Sequence, residues 1–217
     1  KQRIKVGLLT IEEARKAAIK PEMTTSLGQT LLLIDPMVGA TNEFTMGAPR
    51  RDAGRGANEV ERPVALTRAF YLSTTEVTNA QFRQFTRNHE SGQAGGKSLN
   101  REHQPAVQLS WQQAASFCNW LSAREGLAAF YTEKDGIITG FDASSQGYRL
   151  PTEAEWAFAS RLHEGVTRRF AWGDAWPPEN GVANLADASS AIVTGRIFFL
   201  ISCRHEPTHT ISSASLT

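Results

Sequence analysis

Two cysteines, five histidines and a pair of closely spaced glutamates are the residues of this 217-residue chain that could carry chemistry. A thiolate is a nucleophile and a soft metal ligand, but Cys118 and Cys203 lie far apart. No CxxC or Cys/His cluster offers the spacing of a zinc site, and two cysteines alone do not decide the redox compartment. Cys118 falls on the apolar face of a helical pattern, which reads as a buried, inert thiol. His205 and His209 have the four-residue spacing that binds metal on a helix, but Pro207 between them breaks a helix, so they read as ordinary surface residues. Glu153 and Glu155 are two apart on a predicted helix, where side chains do not face each other. Acid/base work by that pair is therefore not expected, whereas a buried ion-pair network with Arg149 is.

Three helix starts must position these groups, and all use one chemistry. In Thr78-Asn79-Ala80-Gln81, Ser110-Trp111-Gln112-Gln113 and Thr152-Glu153-Ala154-Glu155, a hydroxyl can accept from the backbone N–H three residues on. The Gln or Glu side chain can reach back in turn, forming a capping box. Val77 and Phe82 are placed as a hydrophobic staple for the first helix, and Glu76 and Asn79 read as capping residues. The second helix continues with Ala114, Phe117, Cys118 and Leu121 on one face. In the third, Tyr148, Leu150 and Trp156 read as core, and Trp156 and Ala159 begin the apolar face.

Strand signals are fewer. Gly28–Ile34 and Val64–Ser73 have strand composition, and Pro49–Pro63 between them reads as an Arg- and Gly-rich loop. A hairpin is predicted from Ala129–Thr132, a turn near Asp135-Gly136, and Ile137–Gly140. Asn88–His103 is a long polar connection, of a length usually reserved for function or for specific anchoring. Residues 1–40 read as a lead-in or linker from an upstream domain of the same polypeptide, and residues 41–217 as the main domain. Lys1 stands where Met would begin a full product, so a longer protein is expected.

Composition narrows the classes. Apolar residues at 41% allow a packed core, and 23 basic against 22 acidic residues leave no field to draw in nucleic acid. The apolar runs Leu31–Ile34 and Ile197–Ile201 are far shorter than the roughly 20 residues of a membrane-spanning helix.

Four segments go beyond element signals: Phe44–Gly47 (FTMG), Thr75–Phe85 (TEVTNAQFRQF), Val107–Leu121 (VQLSWQQAASFCNWL) and Tyr148–Trp156 (YRLPTEAEW). Ala171–Asp174 (AWGD) and Ala183-Asn184 follow. In this order, over residues 44–187, they resemble the formylglycine-generating enzyme (sulfatase-modifying factor) family. The resemblance implies an irregular α+β fold like that of C-type lectins, with few short helices and strands and long loops, here incomplete at its C-terminus, where the last part reads as divergent or truncated. It implies a calcium ligand at Asn184, with the backbone carbonyl of Leu185 beside it. The family's acidic ligand about a dozen residues later is replaced by the apolar Ile197–Leu200, leaving Asp187 as a substitute.

The family's GNVWEW-like, RGGSW and GFR segments, and with them its two copper-binding cysteines, do not occur in this sequence. Copper is expected only where such a segment is supplied. The reading that follows is a non-catalytic binding or structural module with a protein or peptide ligand. The alternatives are a copper-dependent oxidase forming formylglycine in a sulfatase, and a lectin-like domain displaying loops such as Asn88–His103. A bacterial multidomain protein, at the cell envelope or beyond the cytoplasm, is the expected setting.

Overall fold

The three capping boxes form as the sequence predicts and begin the three helices among the described residues. In the computed structural model, residues 20–37, 42–52, 55–163, 166–171, 173–175 and 201–204 are described. Thr78 caps α1 (Asn79–Phe85), Ser110 caps α2 (Trp111–Arg124) and Thr152 caps α3 (Glu153–Arg161), each with the reciprocal Gln or Glu contact in place. Val77 and Phe82, the staple pair, are both fully buried.

Strand β1 (Glu22–Thr24), β2 (Thr30–Ile34), β5 (Phe70–Ser73) and β12 (Ser202–Arg204) form an antiparallel sheet in the order β1-β2-β5-β12. Part of the predicted lead-in is thus structural. Residues 22–34 supply two of four strands, because Leu31 is fully buried against the helices and cannot be left to a linker. The chain returns late to the same sheet: Ile201 is fully buried, Cys203 nearly so, and β12 pairs with β5.

The predicted strand over Val64–Ser73 is two strands in two sheets. Strand β3 (Glu43–Met46) pairs with β4 (Arg62–Ala65), whereas β5 lies between β2 and β12. Pro63, read as the end of a loop, sits inside β4, which the two-stranded β3–β4 ribbon permits because a residue facing its open edge need not donate an N–H to a neighbouring strand. The hairpin of β8 (Tyr131–Lys134) and β9 (Ile137–Phe141) turns at Asp135-Gly136 as expected. Both turn residues have positive φ, 52° and 76°, as the tight two-residue connection requires. Two further ribbons are short: β6 (Gln93–Ala94) with β7 (Lys97–Ser98), and β10 (Leu162–His163) with β11 (Val166–Thr167).

The main core lies between α1, α2 and the four-stranded sheet. Phe117 and Cys118 of α2 are fully buried, and Phe82 stacks on Phe117 with ring centroids 5.4 Å apart. A smaller core joins Phe44 and Met46 of β3 to Ala157 and Phe158 of α3, with Phe44 edge-on to Phe158 at 5.6 Å. No described helix is long and apolar enough to cross a membrane.

Apart from the short β6–β7 ribbon, the long 88–107 connection is held by a buried polar hub. Asn79, read as a capping residue, is fully buried. Its Nδ2 donates to the carbonyls of Leu99 (2.7 Å) and Arg101 (2.9 Å). The fully buried Ser91 hydroxyl donates to Asn79 Oδ1 at 2.6 Å and accepts from the Val107 N–H at 3.0 Å, with His89 Nε2 at 3.1 Å. Loop carbonyls also serve α1: the N–H groups of Asn79 and Ala80, orphans of its first turn, donate to Gln104 and Glu102. Burial and then the nearby Arg83 hold the His89 pKa below the usual histidine value. Replacing Ser91 by Ala removes the partner of Asn79 Oδ1, of the Val107 N–H and of His89 Nε2, so stability is expected to fall by about 1–3 kcal/mol. Denaturant unfolding measures that loss, and amide exchange should accelerate at Val107; unchanged exchange there contradicts the hub.

Candidate functional site

An open cleft of about 370 Å3 lies between the 47–59 loop, helix α3 and the Arg169–Phe170 segment. Its construction begins at Gly47, directly after β3. With φ at 100°, a Cβ there would sit 2.4 Å from the Val60 carbonyl oxygen, so glycine alone lets the loop close on itself. Arg55 straps the loop's base: its Nε donates to the carbonyls of Ala48 (2.8 Å) and Glu59 (3.0 Å).

On the opposite wall, Ala154, Ala157 and Phe158 turn α3 onto the small core. This places Glu153, Trp156 and Arg161 at the cleft. Trp156 is 48% exposed. Its reading as a core residue is thereby corrected: the apolar face runs through 154, 157 and 158, the i, i+3, i+4 series that begins two residues earlier. Arg161 Nε donates to the Arg168 carbonyl at 2.8 Å, and its Nη1 makes a long 3.5 Å contact to the Gly47 carbonyl. Arg169 pairs with Asp52 at 3.4 Å and covers the Phe170 ring at 5.1 Å. The lining therefore combines three guanidinium groups, three carboxylates and an exposed indole.

The predicted ionic network has a different membership. Arg149, 5% exposed, meets Glu155 through two parallel bonds of 2.5 and 2.7 Å. Glu155 Oε2 also accepts from the Thr152 N–H at 2.8 Å, so one carboxylate caps α3 and neutralises a buried arginine. Glu153 takes no part; it lies at the surface beside Arg62, 3.6 Å away. Burial works to raise the Glu155 pKa, but hydrogen bonding and charge from Arg149 outweigh it and hold the carboxyl below its usual value.

Both cysteines flank this pair, and neither is available for chemistry. Cys118 and Cys203 are free, buried thiols. Burial pushes Cys203 up to about 12 and Cys118 further still, with Arg149 acting weakly in the other direction. Copper(I) takes thiolates that solvent and substrate can reach, so these two residues do not fit a copper centre. Among the described residues, no group of three or more His, Cys, Asp or Glu side chains is placed to hold a metal ion. The implied calcium ligands Asn184, Leu185 and Asp187 lie outside the described residues, as do His205 and His209. Of the cleft arginines, Arg55 has one sequence signal, the Arg-rich character of 49–63, and Arg161, at the end of α3, has none.

The chain matches the family described as "Sulfatase-modifying factor enzyme 1-like domain" over residues 34–197, ten residues beyond the motifs at each end. It is 31% identical over 105 residues to "Chaperone protein LppX" of Paenibacillus barcinonensis, a match covering 42% of this chain and 35% of that protein. It is 33% identical over 79 residues to the "Formylglycine-generating enzyme" of Streptomyces coelicolor, covering 36% of this chain and 17% of that enzyme. Those curated relatives are thus matched over about a third of their length or less. Among solved structures, it is similar to "Treponema denticola variable protein 1", with a TM-score of 0.55 and 22% identity, covering 73% of this chain and 62% of that one. That likeness is one of fold, and the irregular α+β architecture expected from the motifs is what it supports.

Removing the Arg149 side chain alone, as in Arg149→Met, leaves the half-buried Glu155 carboxylate without its partner and is expected to cost about 2–4 kcal/mol. The double variant Arg149→Met/Glu155→Leu should recover much of that loss, and equal losses in both would contradict a paired buried charge. Because the folded pKa of Glu155 is depressed, its contribution is full above the unfolded carboxyl pKa and drains away as pH falls through the folded value. Denaturation midpoints measured downward from about pH 5 should therefore drop more in the parent than in Glu155→Gln.

Proposed function

The chain belongs to the sulfatase-modifying factor enzyme 1-like family, and within it we propose that this domain is a binding module rather than the oxidase some of its relatives are. One observation carries the reading: both cysteines are sealed in the core with their thiols held protonated. Oxidation of a substrate cysteine at copper needs thiolates open to metal and substrate, and Cys118 and Cys203 offer neither. What the fold does offer to a partner is the cleft under α3, with an exposed indole and fixed arginines. A relative named as a chaperone is in keeping with a protein or peptide as the ligand.

The second reading, a copper-dependent formylglycine-generating oxidase, is favoured by the 33% identity to the Streptomyces enzyme. It requires a reachable cysteine pair other than Cys118 and Cys203. Incubation of the full-length protein, including any segment that supplies such a pair, with a cysteine-containing sulfatase peptide, copper and oxygen decides between them. The peptide thiol is expected to survive unchanged by mass spectrometry, and conversion to the aldehyde overturns the module reading.

Calcium binding through Asn184, the Leu185 carbonyl and Asp187 stays a proposal supported by the family resemblance. A bound ion stabilises the state that binds it, so the melting temperature should rise with added calcium and fall back with chelator. Asp187→Asn should blunt that response; a calcium-independent melt removes the proposal.

A further inference from the structure

We propose that the cleft under α3 is a carboxylate-recognition site, which takes a peptide segment bearing an acidic side chain next to an apolar one. This rests on the binding-module reading and names its ligand.

Arg55 and Arg161 are both fixed by backbone carbonyls, and the fixing uses mainly Nε. Arg55 Nε is held between the Ala48 and Glu59 carbonyls, and Arg161 Nε is held by the Arg168 carbonyl. Two consecutive carbonyls, Gly47 and Ala48, thereby gather both guanidinium groups to one point of the cleft, the first through the long 3.5 Å contact. The terminal nitrogens of Arg55 have no protein partner among the described residues, and both residues line the same opening. A guanidinium held by Nε presents its Nη pair as a planar fork, the geometry that meets a carboxylate with two parallel bonds. Ordering the long side chain is part of folding here, so binding does not bear that entropy again.

The carboxylates on the same walls do not take those donors. Asp52 is paired with Arg169 at 3.4 Å, Glu59 accepts from the Gly56 N–H at 3.0 Å, and Glu153 lies 3.6 Å from Arg62. An incoming carboxylate thus finds free donors beside acids already engaged. Trp156 supplies the apolar contact: its half-exposed indole borders the cleft and can cover an aliphatic side chain. A polar anchor beside an aromatic surface is the combination that orients a peptide rather than merely attracting it.

The test is an NMR titration of the full chain with two blocked dipeptides, acetyl-Leu-Glu-amide and acetyl-Leu-Gln-amide. The Glu peptide is expected to shift the Trp156 indole and Arg55 Nε–H signals saturably. The Gln peptide should bind at least about tenfold more weakly, as loss of charge-assisted bonds implies. Arg55→Gln should weaken the Glu peptide by a similar factor, Arg55→Lys by less, and added salt should weaken it further. Trp156→Ala, at an exposed position, should reduce binding of both peptides without loss of fold. Equal affinity for the two peptides, no binding of either, or no effect of Arg55→Gln in a folded variant overturns the site. Any of these leaves the module reading standing on the oxidation assay, whereas aldehyde formation in that assay removes the module reading whatever the titration gives.

Discussion

The buried contact between Arg149 and Glu155 is the constraint on which the rest of the domain depends. A guanidinium at 5% exposure is tolerable only with a carboxylate set squarely against it, and the two bonds of 2.5 and 2.7 Å meet that need. The backbone of Arg149 exchanges two 2.7 Å bonds with Ser202, which fastens β12 and the four-stranded sheet to the segment leading into α3. Its side chain lies over the Phe130 ring at 5.5 Å, tying in the β8–β9 region. Glu155 in turn closes the capping box of α3, so the ion pair sets where that helix begins. The helix start decides which side chains reach the cleft, and the cleft is therefore a distant consequence of a charge pair in the core.

Regular secondary structure is scarce in this domain, and polar side chains take over the task of fixing its loops. Asn79 and Ser91 hold the 88–107 connection, Gln29 Nε2 donates to the Thr75 carbonyl, and Arg55 closes the 47–59 loop. Buried backbone groups must find partners, and where no ladder provides them a side-chain amide, hydroxyl or guanidinium does. The same economy of means explains the cleft: an arginine used to close a loop is also an arginine with a free fork. In the 88–107 connection the interior contacts serve the fold, while at the 47–59 loop they leave donors facing solvent. That contrast favours the second loop as the place where a partner is met.

The helix starts were legible because a capping box is local. Thr78, Ser110 and Thr152 each contact a residue three positions away, and no tertiary information is needed to foresee it. The burial of Val77, Phe82, Phe117 and Cys118, and the Asp135-Gly136 turn, follow from periodicity and short-range sterics in the same way. The ordered motifs also carried the family, since YRLPTEAEW and its companions encode contacts that recur with the fold.

Partner choice over long separations was decided by the tertiary structure alone. Val64 and Phe70 look alike as strand residues, yet one pairs with β3 and the other with β2, a difference set by which apolar face each must cover. Asn79 reads as a cap until loop carbonyls from Leu99 and Arg101 close around it. Trp156 reads as core until Phe158, two residues on, meets Phe44 and turns the indole outward. Arg55 and Arg161, more than a hundred residues apart, become one site only because Gly47 and Ala48 accept from both. Short-range capping and sterics are written residue by residue. Burial and charge pairing are properties of surfaces that exist only once the chain has closed on itself.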